Sequence, residues 1–234
     1  MSFVDKCIND SLPLWDSFLN LPFLRELAEG SLDEARFMGY IVDDSLYLRE
    51  YAKVFAWGMT KAQDMASIRT LYSLLSFINE GEGATRLQYL KRYGLTDDAI
   101  QPLPQRPENK AYTDYMIQVS QQGEGIPECM MASLPCMLSY SRIFRQIISC
   151  SPSVRETPYW SLVQDYAGES YDAACREWTA YADKVCADLS PARQQQCMEI
   201  FRTCSLHEQR FWQMCEQPRA DFSCGHGKGS EPNE

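Results

Sequence analysis

The stretch Phe37-Met38-Gly39-Tyr40-Ile41-Val42-Asp43-Asp44-Ser45-Leu46-Tyr47-Leu48-Arg49-Glu50-Tyr51-Ala52-Lys53-Val54 decides the fold. Wound as an α-helix, it sets Phe37, Tyr40, Ile41, Tyr47, Leu48, Tyr51 and Val54 on one face at the i, i+3, i+4, i+7 spacing. Asp44 falls in the middle of that face. Near the other end of the chain, Cys197, Ile200, Phe201, Cys204, Phe211, Trp212 and Cys215 form a second stripe, and Glu208 interrupts it. No Lys or Arg shares either stripe. A carboxylate in a hydrocarbon core costs several kcal/mol or shifts its pKa unless something pairs with it. Two acids facing an aromatic and cysteine-rich interior therefore point to a polar ligand site inside a helical bundle.

Outward from these stripes, helix signals repeat and strand signals are nearly absent. The first eighteen residues read as one helix, and a short one follows Pro22 and stops before Gly30. Ser31-Leu32-Asp33-Glu34 has the form of a capping box opening the helix of Asp44. Residues 64–92 read as a helix closed by Gly94. Pro102, Pro104 and Pro107 make 96–108 a loop. A helix over 109–122 follows. The next, over 127–149, is apolar on nearly every side and belongs at the centre. Thr157-Pro158 and Ser190-Pro191 each place a capping side chain before a first-turn proline. They open two long amphipathic helices, one between them and one from 191 to about 217. The expected fold is an all-α, single-domain helical bundle over residues 1–217, with 218–234 as a disordered polar tail.

The 234 residues suffice for a substantial core, and their 45% apolar content is ordinary. No apolar run approaches the roughly 20 residues of a membrane span. The start lacks the basic-then-apolar pattern of a secretory signal, so a cytoplasmic location is expected. A net charge of −10 argues against nucleic acid and anionic membrane as partners. The ten cysteines include no CxxC pair, which removes zinc-ribbon and thioredoxin-type readings. Most are expected to be small apolar fillers.

Asp44 and Tyr47 are i, i+3 neighbours, and Cys136 and Tyr140 are i, i+4 neighbours. Pro135 lies inside a helical pattern. Either it only bends the helix and Cys136 is packing, or the helix restarts and Cys136 sits in a first turn whose free N–H groups favour a thiolate. Asp44 and Glu208 are either ligand groups or partners of an unseen cation. Tyr112 and Tyr166 taken alone read as half-buried tyrosines.

Five segments in order resemble the TenA (thiaminase II) family. They are Phe37-x-x-Tyr40 with Asp44-Ser45-Leu46-Tyr47-Leu48, Ala111-Tyr112-Thr113, Leu134-Pro135-Cys136 with Tyr140, Asp165-Tyr166-Ala167 with Tyr171, and Glu208-x-x-Phe211-Trp212. The resemblance spans about residues 10 to 216. It implies a haem-oxygenase-type fold, usually homotetrameric, without metal or cofactor. It also implies a small-molecule substrate, the aminopyrimidine portion of thiamin or of its breakdown products. Cys136 places the chain in the branch that hydrolyses 4-amino-5-aminomethyl-2-methylpyrimidine to the hydroxymethyl compound and ammonia; many members also cleave thiamin.

By this resemblance Cys136 is the nucleophile, adding to the ring carbon beside the substituted one. Asp44 holds the amidine edge as a carboxylate accepting two hydrogen bonds. Glu208, with a pKa raised by burial near Phe211, Trp212 and Cys204, gives a proton to the opposite ring nitrogen and retrieves it. Tyr47, Tyr112, Tyr140 and Tyr166 hold the flat ring. The family often has Gln where this chain has Asp43. Adjacent helix positions point about 100° apart, so Asp43 is expected in solvent. Relatives often have a histidine on the third helix where this chain has Glu82 and Arg86, which leaves a contact from that helix open.

Other readings fit less well. A di-iron bundle needs Glu-x-x-His pairs, and neither His207 nor His226 lies three residues after a Glu. A haem site would rest on His207 alone. The PqqC type of oxidase relies on several histidines and arginines that this chain lacks. A non-catalytic aminopyrimidine-binding or regulatory homologue needs Asp44 and the tyrosines but neither Cys136 nor Glu208, and the presence of both favours the enzyme.

Overall fold

A computed structural model describes residues 1–77 and 83–221, and the side chains of all of these except Gly83 and Ala84. Among the described residues there is no strand. The helices are α1 (Phe3–Ser17), α2 (Pro22–Glu29), α3 (Glu34–Lys61), α4 (Met65–Phe77), α5 (Gly83–Arg92), α6 (Asp97–Ile100), α7 (Pro107–Gln122), α8 (Ile126–Cys150), α9 (Trp160–Ala167), α10 (Glu169–Cys186) and α11 (Pro191–Met214). The all-α expectation holds. None of the described helices is long and apolar enough to cross a membrane.

α8 is the expected central helix. It packs against α11, α10, α3, α9 and α7, so nearly every side of it is covered. α3 lies against α7 and α8, and α7 and α8 both meet α11. The two acid-bearing helices, α3 and α11, thereby share the neighbours α7 and α8, and the site is built among these four. Seven of the described cysteines, Cys7, Cys129, Cys175, Cys186, Cys197, Cys204 and Cys215, are buried thiols that fill this core.

Several boundaries differ from the sequence reading. Ser31 does not cap α3. Gly30 closes α2 in the left-handed region (φ 76°), and the Ser31 and Leu32 amides are spent on the Glu26 carbonyl, at 2.9 and 3.2 Å. Asp33 caps α3 instead, accepting from Ala35 N and Arg36 N. Of the expected helix over 64–92, Met65–Phe77 and Gly83–Arg92 are helical, and residues 78–82, with Glu82, lie outside the described residues. Within the 96–108 loop, Thr96 caps the short α6. The long helix expected between 157 and 190 breaks at Gly168, whose extended backbone (ψ 162°) separates α9 from α10. Ser190-Pro191 does open α11 as read.

The expected tail enters the fold before it leaves the described residues. Arg219 is 3% exposed and its Nη1 donates to Asp43 Oδ1 at 2.6 Å. Gly39, one turn before Asp43, makes room for it: a Cβ there would meet Arg219 Cγ and N at 3.3 Å.

Candidate active site

α3 points Tyr40, Asp44, Tyr47 and Tyr51 inward, α7 supplies Tyr112, α8 supplies Cys136 and Tyr140, α9 supplies Tyr166, and α11 supplies Glu208, Phe211 and Trp212. The aromatic rings form a continuous wall. Tyr47 lies 5.3 Å from Tyr112 and 5.8 Å from Phe211 between ring centres. Tyr140 lies 4.9 Å from both Trp212 and Tyr166. Trp212 stacks on Tyr40 at 5.4 Å. Tyr166 forms the outer layer, packed on Tyr140, Phe144 and Tyr171.

The ionisable groups converge inside this wall. Glu208 is reached by Tyr112, Cys136 and Asp44. Tyr47 is reached by Cys136, Tyr112 and Glu208, and Tyr140 by Tyr40, Glu208, Asp44 and Cys136. Three groups from α3, α8 and α11 that are far apart in sequence are therefore neighbours in space. Among the sequence-derived site residues, Asp44, Cys136, Glu208, Tyr47, Tyr112 and Tyr140 form one cluster, with Tyr166 behind Tyr140.

Burial dominates the electrostatics. It pushes Glu208 up to about 8, while hydrogen bonding to Tyr112 and Cys136 opposes the rise and the Asp44 charge adds to it. It pushes Asp44 up to about 7, with Arg86 opposing and Asp43 adding. The Tyr47, Tyr112 and Tyr140 hydroxyls are all held far above their ordinary range by burial, so they stay protonated donors. Glu208 Oε1, Tyr112 Oη and Trp212 Nε1 are shut off from solvent with no partner in good hydrogen-bond geometry. Buried polar atoms are normally satisfied, so Glu208 Oε1 and Tyr112 Oη side by side in the cluster leave room for a polar ligand.

One open alternative is decided and one expectation is corrected. Pro135 lies within an unbroken α8, so Cys136 is in mid-helix and not in a first turn. Activation by free helix-start amides is thus removed; the polar group beside its sulfur is Glu208. Cys136 is nonetheless less buried than its neighbours Pro135 and Met137, as a reactive thiol needs to be. Asp43 is not solvated but 0% exposed. It accepts from Arg106 Nε at 2.8 Å, from Arg106 Nη2, and from Arg219 Nη1 at 2.6 Å, while Asn109 Nδ2 donates to its carbonyl at 2.8 Å. Burial raises the Asp43 carboxyl, and the two guanidiniums oppose that rise. Arg106 also donates to the carbonyls of Met214 and Gln217, both at 2.9 Å, which ties the end of α11 to α3.

A contact that the sequence left open is present: Arg86 of α5 reaches the Asp44–Ser45 turn of α3. His207, which the sequence offers only as a lone haem ligand, has a different place. Its ring stacks in parallel on Tyr112 at 5.2 Å, fixing that ring from behind. No group of three or more His, Cys, Asp or Glu side chains suited to a metal ion gathers among the described residues. A separate groove of about 570 Å³ lies between α1, α8 and α10, lined by Trp15, Leu138, Arg142 and Cys175 among others. It shares no residue with the cluster. Its arginines are already paired, Arg142 with Asp16 and Arg145 with Asp172.

The chain is similar to known proteins along nearly its whole length. It is 30% identical over 205 residues to an aminopyrimidine aminohydrolase of Helicobacter pylori, covering 87% of this chain and 94% of that one. It is 28% identical over 220 residues to an aminopyrimidine aminohydrolase of Halalkalibacterium halodurans, covering 94% and 97%. Among solved structures it superposes on a TenA family transcription regulator from Silicibacter with a TM-score of 0.82 at 21% identity, covering 92% and 97%. A domain from Shewanella denitrificans with a haem-oxygenase-like fold gives 0.72 at 13%, covering 94% and 97%. The five motifs gather at one buried cluster, and the model of the TENA/THI-4/PQQC family matches residues 9–217: the chain belongs to that family.

Proposed function

We propose that the protein is an aminopyrimidine aminohydrolase of the thiaminase II type. It hydrolyses 4-amino-5-aminomethyl-2-methylpyrimidine to the hydroxymethyl compound and ammonia in thiamin salvage. The observation that carries this reading is the meeting of Cys136, Asp44 and Glu208 inside one aromatic enclosure, with Glu208 Oε1 and Tyr112 Oη shut off from solvent. The relatives named aminopyrimidine aminohydrolase support the same substrate class.

Asp44 takes the amidine edge. A neutral aminopyrimidine offers one N–H donor and one ring-nitrogen acceptor there, so a bare carboxylate would make only one of the two hydrogen bonds. The second needs one proton shared between acid and ring. A carboxyl raised to about 7 supplies it, donating to the ring nitrogen while accepting from the exocyclic amine. The bidentate pair thus rests on the shifted pKa and not on permanent ionisation.

Cys136 and Glu208 hold a second shared proton. Thiol with carboxylate and thiolate with carboxylic acid have the same total charge, so the pair reaches the reactive form without importing charge into the core. The Cys136 sulfur forms a bond to the ring carbon beside the substituted one, and the opposite ring nitrogen takes the proton from Glu208. The aminomethyl group, an ammonium at neutral pH, leaves the dearomatised ring as ammonia, its bonding pair going to nitrogen. Water adds to the exocyclic double bond and gives its extra proton to the departing ammonia, the carbon–sulfur bond breaks to return the thiolate, and Glu208 takes its proton back from the ring nitrogen. Tyr47, Tyr112 and Tyr140 position the ring and the water through faces and hydroxyls, and Tyr166 supports Tyr140 from behind. We place the enzyme in the cytoplasm as a homotetramer, following the family resemblance.

The test is a parallel assay of the wild-type protein on the aminomethyl pyrimidine and on thiamin, with ammonia and hydroxymethyl pyrimidine measured. Ammonia release from the former is expected. Tight binding of the hydroxymethyl pyrimidine with no turnover of either compound would make the protein a binding or regulatory module instead.

A further inference from the structure

We propose that Arg86 is a positioning residue that holds the Asp44–Ser45 turn of α3 and sets the charge of Asp44 at the amidine-binding edge. This rests on the assignment of Asp44 above, and it adds a residue outside the motif set that identified the site. Arg86 projects from α5, and its Nη1 donates to Ser45 Oγ at 2.9 Å and to Asp97 Oδ1 at 3.0 Å. Ser45 follows Asp44 directly and is itself buried, with its hydroxyl donating to the Ile41 carbonyl at 2.7 Å. The guanidinium is thus pinned at two points, one on the helix that carries Asp44 and one at the start of α6. Its own side chain is only 16% exposed, and its Nε is buried without a partner. Such a fixed, poorly solvated cation acts through a medium of low polarity.

The groups facing Asp44 make its position distinctive. They are Asp43 beside it on α3, Arg86 on α5, Tyr140 on α8, and Glu208 and Cys215 on α11. Of these, Arg86 alone is cationic. Burial and Asp43 drive the Asp44 carboxyl up, and Arg86 opposes them, which leaves it near 7. Without Arg86 the proton would stay on Asp44 to higher pH. Cations in direct contact, as Asp43 has, would oppose the rise more strongly. One cation, held one residue away, leaves a proton that can be shared with the ring.

The inference is tested first without ligand. The midpoint of the Asp44 carboxyl titration is read from its ¹³C resonance, assigned by its loss in Asp44→Asn. The wild-type midpoint is expected near 7. Arg86→Gln should move it up by about half a pH unit or more, and Arg86→Lys should restore it. If Arg86→Gln fails to fold by circular dichroism, Arg86→Met carries the same expectation. An unmoved midpoint in either neutral variant overturns the proposal. The second arm is the affinity for hydroxymethyl pyrimidine against pH. Wild-type affinity should fall above about 7, and in the neutral variant that fall should begin higher by the same interval. A uniform loss at every pH would make Arg86 merely structural and overturn the proposal. Absence of any wild-type affinity would instead refute the aminopyrimidine site, while the titration still decides the role of Arg86.

Discussion

Asp43 and Asp44 are consecutive residues on one helix, both almost wholly buried, and they serve opposite ends. Asp43 is satisfied: two guanidiniums and the start of α7 close around it, and they anchor the chain after α11. Asp44 is left short, with one cation at a distance and a carboxyl near 7. Glu208 is left shorter still, with an unpartnered oxygen and a carboxyl near 8. Burial alone therefore does not mark a functional acid; what separates the two kinds is whether the protein supplies the compensating charge. Where it does, the acid holds the fold together. Where it withholds it, as at Asp44 and Glu208, the proposed role of the acid is to store a proton for a ligand.

The comparison can be broken by substitutions that move the wrong quantity. Glu208→Gln has the largest expected effect, a loss of about 100- to 10,000-fold in the rate of ammonia release with ligand still bound. The pH dependence of the rate should flatten with it, and a variant that keeps wild-type turnover would remove Glu208 from proton transfer. Asp43→Ala should instead cost about 3–5 kcal/mol in urea unfolding, because it strips the buried Arg219 of one of its two carboxylate partners, the other being Asp221, and strips Arg106 of its carboxylate. A stable Asp43→Ala protein would deny the structural role.

The stability of the wild type should itself depend on pH in a signed way. Asp44 and Glu208 have folded-state values raised above their unfolded ones, so the native state holds protons that the unfolded chain has lost. Their contribution to stability is then fully present below about 4 and declines as pH rises through about 7 and 8, by a few kcal/mol at about 1.4 kcal/mol per unit of pKa difference. Asp44→Asn and Glu208→Gln should each raise the melting temperature at pH 8.5 and change it little at pH 5. Equal effects at both values would contradict the raised pKa of these acids. Asp44→Ala should weaken hydroxymethyl pyrimidine binding about 10- to 100-fold by calorimetry, the smallest of these effects. Unchanged affinity would end its anchoring role.

What was legible in the sequence follows from the same distinction. Asp44 and Glu208 announced themselves because each interrupts an apolar stripe on its own helix, a signal contained within about twenty residues. The helices themselves were legible from periodicity, and the start of α11 from Ser190-Pro191. Asp43 was misread because its partners lie 63 and 176 residues away, in segments whose composition reads as a loop and a tail. Helical angle correctly set Asp43 on a different side from Asp44, but that side is covered by Arg106, Asn109 and Arg219, which no local pattern reveals. The cap of α3 was misplaced because the close of α2 competes for the Ser31 amide, and the break at Gly168 because a lone glycine is weak evidence against a long amphipathic run.

The proposed nucleophile is the Cys136 sulfur, set between two acids that no cation among the described residues touches directly. The most direct test measures ammonia release from 4-amino-5-aminomethyl-2-methylpyrimidine by Cys136→Ser alongside its affinity for the hydroxymethyl pyrimidine. Release should fall about a thousandfold or more with affinity within a few-fold of wild type. Undiminished release from that variant would contradict the account.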